Sequence, residues 1–187
     1  MSAPKVSVNR RSLFLFAVAL AIIALDQISK ALVRRYLPLN TSWDPIPGLG
    51  QIVTFTHVHN TGAAFGLFPG LGTVFLAAAM VVVLLIIAYS GQLARATPLL
   101  RIAFGLQLGG AAGNLIDRLT QGYVTDFIDF RVWAVFNVAD SAVVIGTVLL
   151  AYYALFTESG QEDFLASRSE SRRSDEPNES WSEGHGE

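Results

Sequence analysis

VFLAAAMVVVLLIIAY, residues 74–89, carries no charged side chain. A helix rises about 1.5 Å per residue, so about 20 apolar residues cross the hydrocarbon core of a bilayer. Residues 71–89 meet that need. Working outward, three more segments read the same way: 13–33, interrupted by Asp26 and Lys30, then 98–116 and 138–156. Lipid supplies no hydrogen bonds to a backbone, so each segment must satisfy its own as a helix. The expected fold is an all-α membrane protein with four transmembrane helices and a small extracytoplasmic β element between helices 1 and 2.

Composition agrees. Of 187 residues, 52% are hydrophobic and 15% charged, against about 25% charged in soluble domains. Mean hydropathy is +0.45. Nine of the fifteen acidic residues follow Phe156, leaving six in the body: Asp26, Asp44, Asp117, Asp126, Asp129 and Asp140. Ten of the thirteen Lys and Arg lie in the body, so it is net positive and the acidity belongs to the tail. Residues 1–156 read as one membrane domain. Residues 157–187, rich in Ser, Glu and Arg, read as a disordered cytoplasmic tail. The absence of cysteine excludes disulfide and thiolate chemistry.

The first segment invites a signal-peptide reading, with Lys5, Arg10 and Arg11 ahead of AVALA. Its apolar run continues past AVALA and three further spans follow, so an uncleaved helix is the simpler account. With four spans, the end of helix 1, the end of helix 3 and the start of helix 4 share one face of the membrane. That face collects five of the six body carboxylates, with Lys30, Asn114, Arg118 and Asn137. Basic residues divide nearly evenly. Lys5, Arg10, Arg11, Arg95 and Arg101 fall on the N-terminal side, and Arg34, Arg35, Arg118 and Arg131 on the other.

Gly105, Gly109 and Gly113 recur every fourth residue, a stripe that lets a neighbouring helix approach closely. Asn114, Asp117 and Arg118 follow on one helical face. Between helices 1 and 2, residues 37–68 open with turn-rich PLNTSWDPIPGLG and continue with QIVTFTHVHN, which reads as a strand. His57 and His59 share a strand face. Two histidines without a third ligand are better read as interfacial polar residues than as a metal site.

Charges in a membrane segment are costly and either pair or face a cavity. Asp26 and Lys30 stand at i, i+4 and can pair. Asp117 with Arg118 reads as a structural pair capping helix 3, and Asp129 with Arg131 as a solvated loop pair. Asp126 and Asp140 have no cation within one helical turn in sequence. Two carboxyls meeting at a partly dry site cannot both ionise comfortably, so one holds a proton. Such a pair serves either as the general acid and base of an aspartic peptidase or as a proton relay in transport. A structural scaffold is a third reading, but it leaves the pair without purpose.

ALDQISKALV (24–33), NTGAAFG (60–66), GGAAGNLIDR (109–118), GYVTDFIDF (122–130) and FNVADSAVVIG (136–146) together resemble the signal peptidase II family. These are aspartic peptidases of bacterial membranes that process lipoproteins. The resemblance implies Asp126 and Asp140 as the catalytic pair. It implies Asp26, Lys30, Asn60, Asn114, Asp117, Arg118 and Asn137 as residues that line or brace the site. It further implies cleavage of a prolipoprotein just before its diacylglyceryl-modified cysteine, with no metal or organic cofactor. The location implied is the bacterial cytoplasmic membrane, with both termini cytoplasmic and the site at the outer face. A monomer surrounded by membrane lipids, with no nucleic-acid partner, is expected. Two features depart from the family's pattern: the long acidic tail and the short segment between Asp126 and Asp140.

Overall fold

A computed structural model describes residues 10–46, 48–62, 72–93, 95–157 and 162. Much of NTGAAFG, residues 63–66, and almost all of the expected tail lie outside the described residues. The chain divides into two units, Met1–Leu149 and Leu150–Glu187. In the second, Tyr152 stacks on Phe156 at 5.4 Å. All that follows concerns the first.

The elements run α1 (Arg10–Tyr36), β1 (Ser42–Trp43), β2 (Thr54–Asn60), α2 (Gly72–Leu93), α3 (Pro98–Gln121), β3 (Val124–Asp129) and α4 (Val138–Phe156). All four helices are long and apolar enough to cross a membrane. Helix α3 starts as its sequence dictates. Thr97 caps it, accepting from the Leu100 N–H at 3.4 Å, and Pro98 occupies the first turn. It runs past residue 116, where hydropathy suggested a stop. A helix needs apolar side chains to cross lipid but not to remain a helix. It ends where Gly122 adopts a φ of 80° and donates its N–H to the Arg118 carbonyl at 3.1 Å.

The protein is apolar outside and polar inside. Leu20, Leu84 and Val148 are each more than half exposed. Among the described residues, the bulkiest fully buried side chains include just two apolar ones, Leu15 and Val124, the others being Lys30, Asp26, Asp117, Asp126, Asn137, Thr54 and Thr125. Lipid gives helices no hydrophobic reason to associate, so close packing and polar contacts must do it. The glycine stripe supplies the packing. A Cβ on Gly109 would stand 2.8 Å from the Ala19 carbonyl oxygen, and one on Gly113 would stand 2.6 Å from Asp26 Oδ2. Helix α1 therefore lies directly on the stripe, while Gly110 opposes the Ala139 carbonyl of α4. Gly113→Ala is expected to cost about 1–3 kcal/mol, lowering Tm in detergent by roughly 2–12 °C. Gly91→Ala, with nothing within 4 Å, is the neutral control. Equal melting of the two variants would contradict this packing.

The three strands form one antiparallel sheet in the order β1-β2-β3. The expected element between helices 1 and 2 thus takes its third strand from the segment after α3, read from sequence only as a loop. YVTDFID has the β-branched and aromatic content of a strand. It does not alternate because nearly every residue of β3 is buried. A register shift between Phe55 and Val58 bends β2, and Asp126 then sits opposite Val58. His57 and His59 do share a face, with ring centroids 5.2 Å apart. His57 Nδ1 bonds the Leu37 carbonyl at 2.8 Å, and His59 stacks on Tyr123 at 3.7 Å. Burial, with His57 and Arg34 nearby, pushes His59 below the ordinary imidazole range.

Candidate active site

Helix α4 begins with a reciprocal cap. The Asp140 N–H donates to Asn137 Oδ1 at 2.9 Å, and the Asn137 N–H donates to Asp140 Oδ2 at 3.2 Å. This is a capping box with aspartate in the third helical position. The next free donor of that turn, the Ala139 N–H, goes to Asp26 Oδ1 at 3.0 Å. The cap leaves Asp140 Oδ1 facing α3, where Asn114 Nδ2 donates to it at 2.7 Å.

Strand β3 delivers the second carboxyl. Asp126 Oδ1 accepts from Asn137 Nδ2 at 2.6 Å and Oδ2 from Asn60 Nδ2 at 2.8 Å. Asn60 is itself fixed, because its Oδ1 accepts the Gly62 N–H at 3.0 Å. Asn137 therefore touches both aspartates. Asp126 and Asp140 line one cavity of about 810 Å³, with Asn60, Asn114 and Arg118 at its polar end. Its remaining wall is apolar and comes largely from two membrane-spanning helices: Ala78 and Val82 of α2, Val144 and Ile145 of α4. Burial, reinforced by the negative charge of Asp140, pushes the Asp126 carboxyl up to about 7. Hydrogen bonds from Asn60 and Asn137 offset part of that rise.

Behind the amides lies a fully buried charge cluster. Lys30 Nζ stands 2.8 Å from Asp26 Oδ2 and 3.2 Å from Asp117 Oδ2, and it donates to Asn114 Oδ1 at 2.9 Å. The expected Asp26–Lys30 pair forms. The expected pairing of Asp117 with Arg118 does not. Asp117 turns inward to Lys30, to Gln27 Nε2 at 3.1 Å and to the Thr125 N–H at 3.0 Å, while Arg118 faces the cavity. A buried carboxylate takes the donors that the core offers, and adjacent helical residues point in different directions. Asp129 is buried rather than solvated: its side chain meets the Arg131 guanidinium at 3.8 Å and accepts from the Arg131 N–H and from Thr56 Oγ1, each at 2.8 Å.

All nine residues picked out in the sequence thus meet in one network or one cavity. Sequence reasoning missed Gln27, Arg34 and Thr125. Arg34 donates to Thr125 Oγ1 at 3.1 Å and stands 3.7 Å from Asp117 Oδ1. Its signal was present, since Asp26, Lys30 and Arg34 recur every fourth residue.

The family model described as signal peptidase (SPase) II matches residues 18–156. This chain belongs to the signal peptidase II family. The lipoprotein signal peptidase of Moorella thermoacetica is 44% identical over 147 residues, covering 78% of this chain and 96% of that one. The one from Halothermothrix orenii is 43% identical over 138 residues, covering 74% and 92%. A solved structure described as a bacterial membrane enzyme, obtained by the in meso method at 2.3 Å resolution, superposes with a TM-score of 0.69. It is 28% identical and covers 79% of this chain and 90% of that one. Family membership decides among peptidase, transporter and scaffold in favour of a signal peptidase II.

Proposed function

We propose that this signal peptidase II cleaves by an aspartic mechanism, with Asp126 and Asp140 as its catalytic pair. The observation that carries the reading is that both carboxyls face one cavity and share one amide, Asn137, while Asp126 is held up to about 7. A carboxyl at about 7 is about half protonated at neutral pH, and the pair works in the state that holds a single proton. Asp126 keeps it and gives it to the scissile carbonyl as general acid. The ionised partner takes a proton from the attacking water as general base. The water oxygen bonds to the carbonyl carbon, and collapse breaks the C–N bond as the proton taken from water passes to the amine and a hydroxyl proton of the intermediate returns to Asp126.

Asn60, Asn114 and Asn137 hold the carboxyl oxygens, and Arg118 supplies positive potential in the same cavity. Asp26, Lys30 and Asp117 brace the amides from behind. The substrate is a prolipoprotein cut just before its diacylglyceryl-modified cysteine. The apolar wall from α2 and α4 suits acyl chains beside the scissile bond. The enzyme works as a monomer in the bacterial cytoplasmic membrane, with both termini in the cytoplasm and the cavity at the outer face. Residues 1–156 form the peptidase domain, and residues 157–187 are a cytoplasmic tail.

Purified protein in detergent tests this with a prolipoprotein bearing or lacking the diacylglyceryl group. Cleavage before the cysteine is expected only for the lipidated form, and equal turnover of both would contradict the assignment. The pH profile follows from Asp126. A carboxyl raised to about 7 is protonated below that pH and loses its proton above it. kcat/KM should therefore fall along an alkaline limb with an apparent pKa near 7, approaching tenfold per pH unit. A rate that is flat from pH 6 to 9 would rule out Asp126 as the acid.

A further inference from the structure

Strand β3 has two faces, and the second one bounds a separate cavity. Neighbouring strand residues leave on opposite sides. Asp126 lines the cavity described above, and Phe127 lines another of about 760 Å³. Its floor is Phe127, Phe55 and Trp43. Phe55 stacks on Trp43 at 5.9 Å and tilts against Phe127 at 6.1 Å. Its wall is one face of α1: Ser29, Leu32, Val33 and Tyr36.

Three observations identify the occupant. First, that wall belongs to the membrane span Ser12–Tyr36, so the groove opens where the span ends. Second, the wall continues down α1 at helical spacing through Ile28 and Leu25, both 59% exposed, giving an acyl chain an unbroken apolar path. Third, a cation stands beside that wall. Arg35 is exposed, and its guanidinium lies 5.6 Å from the ring centroid of Tyr36, a wall residue. Arg34, by contrast, is engaged with Asp117 and Thr125. The volume lies within the roughly 300–1,000 Å³ typical of small-molecule sites.

We propose that this groove binds one anionic phospholipid of the surrounding bilayer, with an acyl chain against Phe55 and Phe127 and the headgroup phosphate at Arg35. The lipid fills the space behind the strand that carries Asp126. The proposal requires only that the chain sits in a bilayer, so it stands apart from the assignment of the catalytic pair.

The test uses the full chain with Trp133→Phe and Trp181→Phe, leaving Trp43 as the single fluorophore. It is reconstituted into phosphatidylcholine vesicles containing a rising fraction of phosphatidylglycerol brominated on its acyl chains. A parallel series uses brominated phosphatidylcholine. Half-maximal quenching of Trp43 is expected at about fivefold lower mole fraction for phosphatidylglycerol, the selectivity of one arginine near an anionic headgroup. Arg35→Gln should bring the two curves together. Val33→Phe, which fills the groove, should remove the tight component. Superimposed curves in the parent chain, or a separation that survives Arg35→Gln, would mean ordinary bilayer contact and overturn the proposal. Quenching relieved by added lipidated prolipoprotein would assign the groove to substrate and overturn it equally. An unchanged far-UV spectrum and Tm establish folding of each variant. Should Val33→Phe fail that check, Arg35→Gln decides alone.

Discussion

Asp126→Asn and Asp140→Asn each reduce cleavage of a lipidated prolipoprotein by more than about 10³-fold, while the protein stays folded. An asparagine keeps the size of the side chain but cannot exchange the proton the pair must pass. The two variants separate on stability. Asp126 is raised from 3.8 to about 7, so the folded protein binds a proton there that the unfolded chain releases. In such a case stability falls as pH rises between the two values, is lowest above the higher one, and is intact below the lower one. The wild-type Tm should therefore decline between about pH 4 and 7 and then level off. Asp126→Asn has no charge to bury and should lack that decline, so its Tm relative to wild type rises with pH. The shift of about three units sets an upper bound on the order of 4 kcal/mol. Part of that is lost because the new amide nitrogen must face a donor, either Asn60 Nδ2 or Asn137 Nδ2. Melting curves from pH 5 to 8 check the sign. A Tm difference that does not change with pH would show that Asp126 is not held protonated.

Asp126 also shows where sequence reasoning worked and where it stopped. Four apolar runs dictated four helices, because lipid allows no other solution for residues 74–89. The lack of any cation within one helical turn in sequence singles out Asp126 and Asp140. Periodicity could not reveal that Asp126 lies on a strand. Alternation is the signature of a sheet with one wet face, and β3 is buried almost throughout. Nor did sequence say which cation Asp117 would choose. Arg118 is its neighbour in the chain, but Lys30 and Arg34 reach it from another helix, and only the approach permitted by Gly109 and Gly113 makes that possible. The same limit hid Thr125, whose backbone N–H serves Asp117 while its hydroxyl accepts from Arg34. Asp140 was the most legible residue, and still had two roles superimposed. As a capping-box residue it fixes the start of α4, and that fixed start is what aims its other oxygen at Asn114.

Lys30→Met should be the most destabilising single substitution in the membrane core. Lys30 has no solvent exposure and sits between two carboxylates that have none either. Removing it strands Asp26 and Asp117 together in a medium of low dielectric. Arg34, at 3.7 Å, offers Asp117 partial relief, and Asp26 gets none from that side. Breaking a buried pair in this way costs about 3–5 kcal/mol, which for a chain of this size lowers Tm by roughly 6–20 °C. Adding Asp26→Asn removes one stranded charge. The double variant should recover about 1–3 kcal/mol relative to the sum of the two single losses. Activity supplies an independent readout. Lys30 donates to Asn114 Oδ1, which compels the Asn114 amide to present its nitrogen to Asp140. Without Lys30 only the 3.2 Å bond from Asn137 Nδ2 still holds that oxygen, so the amide turns over more readily and offers Asp140 an oxygen instead. The double variant should thus regain stability without regaining turnover, and the loss should appear in kcat more than in KM. Recovery of both together would show that Lys30 only holds helices in place. Recovery of stability alone would show that it also orients the amide touching the catalytic pair.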